Sequence, residues 1–460
     1  MESQQRSPLT VDIGDVLDQG AWSNLQKAVF CLAALAVLFD GFDSQLISFA
    51  IPMLIKQWHV TREIFAPVVA AGLVGMAVGS FCSGEIGDRL GRRTTVIGCL
   101  ILLGVSNFAI GFANGLVTVG ILRFLAGLGI GGALPLATTT TAEFTPARYR
   151  AMAVTATITC VPLGGMVAGL FAGAILPALG WRALFWLGGP LPVVLAVVLL
   201  FALPESPRFM TRHRGRWPDL VNLLGRMGRP TAAGAAFTDL AEQRIEHGSG
   251  VSALFAQGWI RDTLCLWGAC FLCLLSVYSA FSWLPTMLSA QGLKVAAAAS
   301  GLTAYNLGGV FGSLLCAAAI SRLGSRWPQI VCAIGAAASA FILAKVGVAD
   351  SATMTLWFGL HGLFVNAVQS TLYAVAAYTY PTRVRATGTA TALAFGRLGA
   401  VLSAFVGAAV ISSAGPNSYL GVLGGSMLGV AMFLFFLRRH IPARSVPVEL
   451  VAPVAEEARP

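Results

Sequence analysis

A chain of 460 residues that is 56% hydrophobic and only 11% charged, with a mean hydropathy of +0.77, is not an ordinary soluble domain, in which about a quarter of residues are charged. Its formal charge of +10 does not call for a nucleic-acid partner. Most of the basic residues fall in polar breaks between apolar runs, where anionic lipid headgroups account for them.

Twelve apolar runs of about the 20 residues that a helix needs to cross a bilayer are predicted. They begin near Ala28, Phe65, Thr94, Leu116, Arg150, Ala183, Thr263, Ala298, Pro328, Ala352, Ala386 and Tyr419. Residues 1–27 are polar and read as a cytoplasmic segment without a cleavable leader, because the apolar run after them is too long for a signal-peptide core. Residues 204–261, rich in Arg and Gly, form the one long polar segment. They separate an N-terminal six-helix bundle, 28–203, from a C-terminal one, 262–438, and a tail follows at 439–460. The expected fold class is an all-α polytopic membrane protein.

Orientation follows from the basic residues. Arg6, Lys27, Arg89, Arg92, Arg93, Arg148, Arg150, the arginines of the central segment, Arg322, Arg326, Arg383, Arg385, Arg438, Arg439, Arg444 and Arg459 fall on one side. Lys56, Arg62, Arg182, Lys294 and Lys345 fall on the other. Both termini are therefore expected in the cytoplasm. The 9 cysteines lie in or beside apolar runs and read as small packing residues; no metal or cofactor is expected.

The two halves repeat each other. "TAEFTPARYRAMAV", which contains Glu143, Pro146, Arg148 and Arg150, follows the fourth run, and "AAYTYPTRVRATGT", with Pro381, Arg383 and Arg385, follows the tenth. "DRLGRR", Asp88 to Arg93, follows the second run and "SRLGSR", Ser321 to Arg326, the eighth. Both pairs are separated by nearly the same length of chain, which indicates a duplicated six-helix unit with a site between the copies.

The stretch Gly84 to Arg93, "GEIGDRLGRR", resembles the loop between helices 2 and 3 of the major facilitator superfamily, and it stands in that place here. The resemblance implies two six-helix bundles that rock about a central site. It also implies a cytoplasmic latch of Gly84, Asp88, Arg89, Gly91, Arg92 and Arg93, with Glu143, Arg148 and Arg150 in the second cytoplasmic signature. Gly84 is expected to permit close helix approach, and Asp88 to meet an arginine or a helix amino terminus. Ser321 replaces the acid in the second copy, so the latch is expected to be asymmetric. "PESPRF", Pro204 to Phe209, is similar to a segment of sugar, organic-ion and aromatic-acid carriers. Asp40-Gly41-Phe42-Asp43 resembles the helix 1 signature of the aromatic acid:proton symporters, and "LDQGAWSNLQ" and "RATGTATALAFGRLGA" are similar to the same group. That resemblance implies transport of 4-hydroxybenzoate, protocatechuate, benzoate or related acids with protons.

Ionisable side chains inside apolar runs are expensive and mark function by default. They are Asp40 and Asp43 in the first run, Arg123 in the fourth, His361 in the tenth and Arg397 in the eleventh. Across the repeat they align with Cys273, Ser276, Phe358 and Pro162 for Asp40, Asp43, Arg123 and Arg397, so none is a relic of duplication. Two carboxylates one turn apart share a helix face and cannot both ionise cheaply in a low dielectric, so the pair can hold a transferable proton. Arg397 is assigned to the substrate carboxylate, which its planar fork can grip with two bonds; the competing reading is a packing or gating ion pair. For Arg123, two readings stand: a substrate contact, or a structural pair with an acid of helix 1. His361 is either a proton relay or a hydrogen-bonded structural residue. Tyr305, Asn306, Asn366, Gln369 and Tyr373, with Tyr278 and Trp283, are the expected walls for a ring-bearing ligand. "GLGIGGALP", Gly127 to Pro135, lies inside an apolar run and reads as helix packing, not as a phosphate loop.

The resulting expectation is a monomeric, proton-coupled importer of small aromatic carboxylates in a bacterial inner membrane, contacting lipid, protons and substrate. A sugar or other metabolite carrier of the same superfamily is the main alternative, with a drug exporter and a membrane enzyme or receptor behind it.

Overall fold

The computed structural model describes residues 10–18, 20–231, 235–240, 254–255, 259–293, 295–346, 351–380 and 384–443. Arg6, Arg244, Lys294, Pro381, Arg383, Arg444 and Arg459 lie outside them, so the second copy of the cytoplasmic signature is described only in part.

In chain order, β1 (Thr10–Asp12) and α1 (Ile13–Asp18) precede α2 (Asn24–Trp58), α3 (Arg62–Leu90), α4 (Arg92–Ile110), α5 (Leu116–Phe144), α6 (Ala147–Gly188) and α7 (Pro190–Ala202). Then come α8 (Pro207–Arg212), α9 (Trp217–Arg226), β2 (Ala236–Thr238), α10 (Ile260–Ala290), α11 (Val295–Leu323), α12 (Arg326–Val346), α13 (Ser351–Thr379) and α14 (Arg385–Phe436). Among the described residues, 9 continuous helical stretches are long and apolar enough to cross a membrane. Two of them reverse direction, one within α6 at Gly180 (φ 74°) and one within α14 at Gly415 (φ 82°). Counting these as two crossings each and adding the 29-residue α13 gives twelve crossings. Helix starts are locally encoded. Ser23 and Gln26 form a reciprocal capping box at α2, with bonds of 3.3 and 2.9 Å, and Thr61 caps α3 through the Ile64 amide.

Packing repeats as the loops do. In the first half α2 lies against α6 and α3 against α5; in the second, α10 lies against α14 and α11 against α13. Lipid removes the hydrophobic drive between helices, so such contacts rely on close backbone approach. Gly41, between the two acids, shows this: a Cβ there would stand 2.1 Å from the Val161 carbonyl oxygen of α6. Gly399 meets Phe271 of α10 in the same way. Large apolar side chains such as Phe81, Phe201, Leu315 and Leu356 are exposed around the outside, as a lipid-facing surface requires.

The polar segments depart from the sequence expectation. β1 pairs in parallel with β2, Val11 opposite Phe237, so among the described residues one short ladder accompanies the helices. Ile13 and Leu17 of α1 and Leu220, Leu223 and Leu224 of α9 bury together with Phe237 against Val29, Leu195 and Leu199 of the first bundle. Arg229 holds the assembly by donating to the Val16 and Leu17 carbonyls, and Arg150 pairs with Asp18. The chain start and the central segment thus form a folded cap on the first bundle. The signal in the sequence was the 220/223/224 spacing, one apolar stripe on a short helix.

Candidate functional site

A cavity lies between the bundles near the middle of the crossings. Its walls are Asp40 and Ser44 of α2, Met76 of α3, Ile130 and Leu134 of α5, Ile158, Val161 and Pro162 of α6, Tyr278 and Phe281 of α10, Gln369, Ser370 and Tyr373 of α13, and Arg397 of α14. Its volume is about 40 Å³, room for water but not for an aromatic ring. Arg397 reaches across to the first bundle. One Nη contacts the Met76 sulfur and stands 3.4 Å from the Tyr278 hydroxyl; the other stands 3.4 Å from Ser80 Oγ. Among the described residues no carboxylate comes within salt-bridge distance of it. A guanidinium held only by a thioether and hydroxyls keeps its strongest bonding capacity for an arriving anion.

The two acids face different surroundings. Residues three apart on a helix point roughly 60° apart, and here that difference separates them. Asp40, 5% exposed, borders the cavity and faces the field of Arg397. Asp43, fully buried, turns into the first bundle towards Arg123 of α5 and Asn107 of α4. The shared-face reading of the pair is corrected accordingly. Arg123 does not line the cavity; it passes over Gly72 of α3, where a Cβ would stand 3.3 Å from its Nε. Asn107 was not singled out from the sequence, where one amide in an apolar run carries little weight.

Of the expected walls, Gln369, Tyr373 and Tyr278 line the cavity, while Tyr305, Asn306, His361, Asn366 and Trp283 do not. His361 is buried inside the second bundle, its Nδ1 3.0 Å from both Ser339 Oγ and the Ala336 carbonyl oxygen, and its ring lies 5.8 Å from that of Tyr305. Asn366 donates to Gly362 of its own helix, and Trp283 to the Ala404 carbonyl. Asn306 is paired across the bundle interface with Gln45 of α2 by two amide bonds of 3.1 and 2.7 Å, both residues fully buried. Thr303 lies where a Gly169 Cβ would be, and Glu63 at the start of α3 faces Ser412 of α14. These contacts join the bundles at the end remote from the cap.

At the cap end the latch ties the first bundle to itself. Asp88 meets Arg92 at 2.7 Å and Arg212 of α8 at 3.6 Å, and Arg92 meets Glu143 at 3.7 Å. Ser206 donates to Glu143 at 2.5 Å. Of the two partners expected for Asp88 it takes the arginines, while the amino terminus of α4 is held by Glu205, which accepts from the Arg93 amide at 3.1 Å and the Ser206 amide at 2.9 Å. Glu205 stood in the quoted "PESPRF" but had no role assigned. Arg93 donates to the Leu200 carbonyl, Arg89 pairs with Glu85 in solvent at 2.5 Å, and Arg148 lies over Tyr149. Gly84 does not make the close approach expected of it: it is exposed, and a Cβ there would meet nothing within 4 Å. Gly91 is the demanding glycine, with φ 97° and its Cβ position 2.2 Å from Glu205 Oε2. Gly91→Ala is expected to cost about 1–3 kcal/mol in backbone strain alone and to lower the melting temperature of the detergent-purified protein clearly, whereas Gly84→Ala should leave it near the parent value.

Residues 33–358 and 266–457 match the family model described as Major Facilitator Superfamily. The gallate transporter of Pseudomonas putida is 31% identical over 96% of this chain and 95% of its own. The 4-hydroxybenzoate transporter PcaK of Acinetobacter baylyi is 32% identical over 89% of this chain and 90% of its own. Among solved structures, the xylose transporter XylE from E. coli, in a partially occluded inward open conformation, superposes with a TM-score of 0.73 at 18% identity, covering 92% of this chain and all of that one.

Proposed function

The chain belongs to the major facilitator superfamily, and from that premise we propose that it is a proton-coupled symporter of small aromatic carboxylates that takes them up across the bacterial inner membrane. It is a multi-pass membrane transporter and not an enzyme. Both termini and the cap lie in the cytoplasm on this reading, because the basic residues gather at that end, and the protein works as a monomer.

Arg397 carries the reading: a guanidinium at mid-membrane depth, open to the cavity, with only neutral hydrogen-bonding partners. With Asp40 in the same cavity the charges balance when it is empty. A carboxylate docking on Arg397 adds one negative charge in a low dielectric, and a proton on Asp40 removes it at least cost. Substrate and proton then enter together because each lowers the cost of the other. Tyr278, Phe281 and Tyr373 supply aromatic faces, and Gln369, Ser370 and Ser44 supply bonds for ring hydroxyls. The contacts of Gln45 with Asn306 and of Thr303 with Gly169 close the outer end, while Gly84 faces open space at the inner end. This supports an inward-facing conformation, from which rocking of the bundles would part the amide pair and bring α3 closer to the second bundle at Gly84.

Competition binding on detergent-purified protein tests the substrate class. 4-Hydroxybenzoate, benzoate and gallate should displace one another, with 4-hydroxybenzamide weaker by at least roughly tenfold and D-xylose inactive. Displacement by xylose without displacement by the acids would favour the sugar-carrier alternative.

A further inference from the structure

A second cavity lies on the seam between the bundles at the end remote from the cap. Its volume is about 380 Å³, within the roughly 300–1,000 Å³ of small-molecule sites. Lys56, in the last turn of α2, and Arg62, at the start of α3, line it from the first bundle, and Thr286 and Ser289 of α10 line it from the second. Met53 and Leu293 add apolar wall. Few basic residues fall on this side of the chain's hydropathy pattern, yet two of them share this cavity. Among the described residues neither forms a salt bridge. Glu63, beside Arg62 in the chain, lends it a field, but the Glu63 side chain faces Ser412 of α14, and Arg62 Nε is buried without a partner.

The hydroxyls point to a ligand independently of the charges. A helical Ser or Thr commonly donates to the carbonyl four residues back, as Thr371 and Thr379 do. Thr286, 3% exposed, does not, and neither does Ser289: both hydroxyl oxygens are buried without a partner among the described residues. Two cations and two idle hydroxyl donors beside apolar wall match a carboxylate, which only accepts, carried on a ring. We propose that this cavity is an outer capture site, where the arriving aromatic carboxylate docks before the bundles open. This rests on the reading that the chain imports such acids with its cap in the cytoplasm. Ser289 lies roughly 16 Å along α10 from Tyr278 of the central cavity. Gln45 of the closed amide pair lies on α2 between Asp40 and Lys56. Lys56 is exposed and Arg62 half-buried, so the site holds the acid more loosely than Arg397 does and releases it inward when the amide pair parts. Its field concentrates anions at the entrance and is screened by salt.

Uptake of 4-hydroxybenzoate by cells producing the full chain, at low and high salt and constant osmolarity, tests the site. Lys56→Gln with Arg62→Gln should raise the external concentration for half-maximal uptake about tenfold at low salt and keep the maximal rate. In high salt, where the field is screened, variant and parent should converge. Lys56→Arg with Arg62→Lys keeps both charges and should behave as the parent. Lys56→Gln alone, at an exposed position, should act in the same direction and decides the matter if the double variant does not reach the membrane. An unchanged half-maximal concentration, or a loss confined to the maximal rate, overturns the site. A second arm needs no transport. With Ala290→Cys at the exposed rim of the cavity, an anionic methanethiosulfonate should modify position 290 of the purified protein faster, relative to a cationic one, by about tenfold over the Lys56→Gln, Arg62→Gln background. 4-Hydroxybenzoate should slow that modification and 4-hydroxybenzamide should not. Equal ratios in the two backgrounds overturn the site, and slowing by phosphatidylglycerol but not by the acid overturns it in favour of a lipid headgroup. If the parent takes up no aromatic acid while position 290 keeps both the ratio and the protection, the proposed function fails and the site stands.

Discussion

Arg397→Ala is expected to abolish the preference of the purified protein for a benzoate-type acid over its neutral amide, a preference of about 1.5–3 kcal/mol in the parent, the scale of a hydrogen bond to a charged group. That corresponds to a loss of at least roughly tenfold in affinity for the acid, with little change for the amide. Arg397→Lys should be hurt nearly as much. Lysine keeps the charge but not the planar fork, and its compact ammonium is held poorly by the Met76 thioether that the guanidinium now contacts. Isothermal titration with 4-hydroxybenzoate and 4-hydroxybenzamide reads both variants. An alanine variant that still discriminates acid from amide like the parent would remove Arg397 from the site.

Asp40→Asn should give the opposite kind of defect. Asparagine leaves Arg397 as the one formal charge of the cavity wall, so an incoming carboxylate neutralises it without a proton. Binding of the acid should survive and lose its pH dependence, exchange of labelled for unlabelled acid should continue, and accumulation against a gradient should stop. The expected drop in steady-state accumulation ratio under an imposed pH gradient is to about one, the value for an uncoupled carrier. A variant that accumulates as the parent does would show that the coupling proton sits elsewhere, with Asp43 the remaining acid of α2.

Much of this arrangement was legible in the sequence. Helix starts fell within about four residues of their predicted places because apolar length and capping residues such as Ser23 and Thr61 are local signals. The twofold repeat visible in the loops is present in the packing, where α2 with α6 corresponds to α10 with α14. Asp40, Arg397, Gln369 and Tyr373 border the cavity; they were singled out by charge and polarity and, for Asp40, by the helix 1 resemblance, because such groups are rare in apolar runs and stand out. What the sequence hid was direction. Asp40 and Asp43 differ by less than a quarter turn, yet one borders the cavity and the other the bundle interior. Asn306 has the same polarity as a ligand contact, and only its pairing with Gln45, far away in the chain, shows that it joins the bundles. Neutral residues such as Met76, Ser44 and Asn107 acquire their roles from what they face, which no spacing rule reports. The cap was missed because its strands are three residues long and pair across most of the first half of the chain.

The central claim is that acid and proton cross together. Purified protein in liposomes with an internal pH dye should acidify the lumen when an outward-to-inward gradient of 4-hydroxybenzoate is imposed at equal starting pH, under conditions where protein-free liposomes, the neutral amide and the Asp40→Asn variant give no signal. Uptake of labelled acid with no lumenal acidification beyond that of protein-free liposomes would contradict the account.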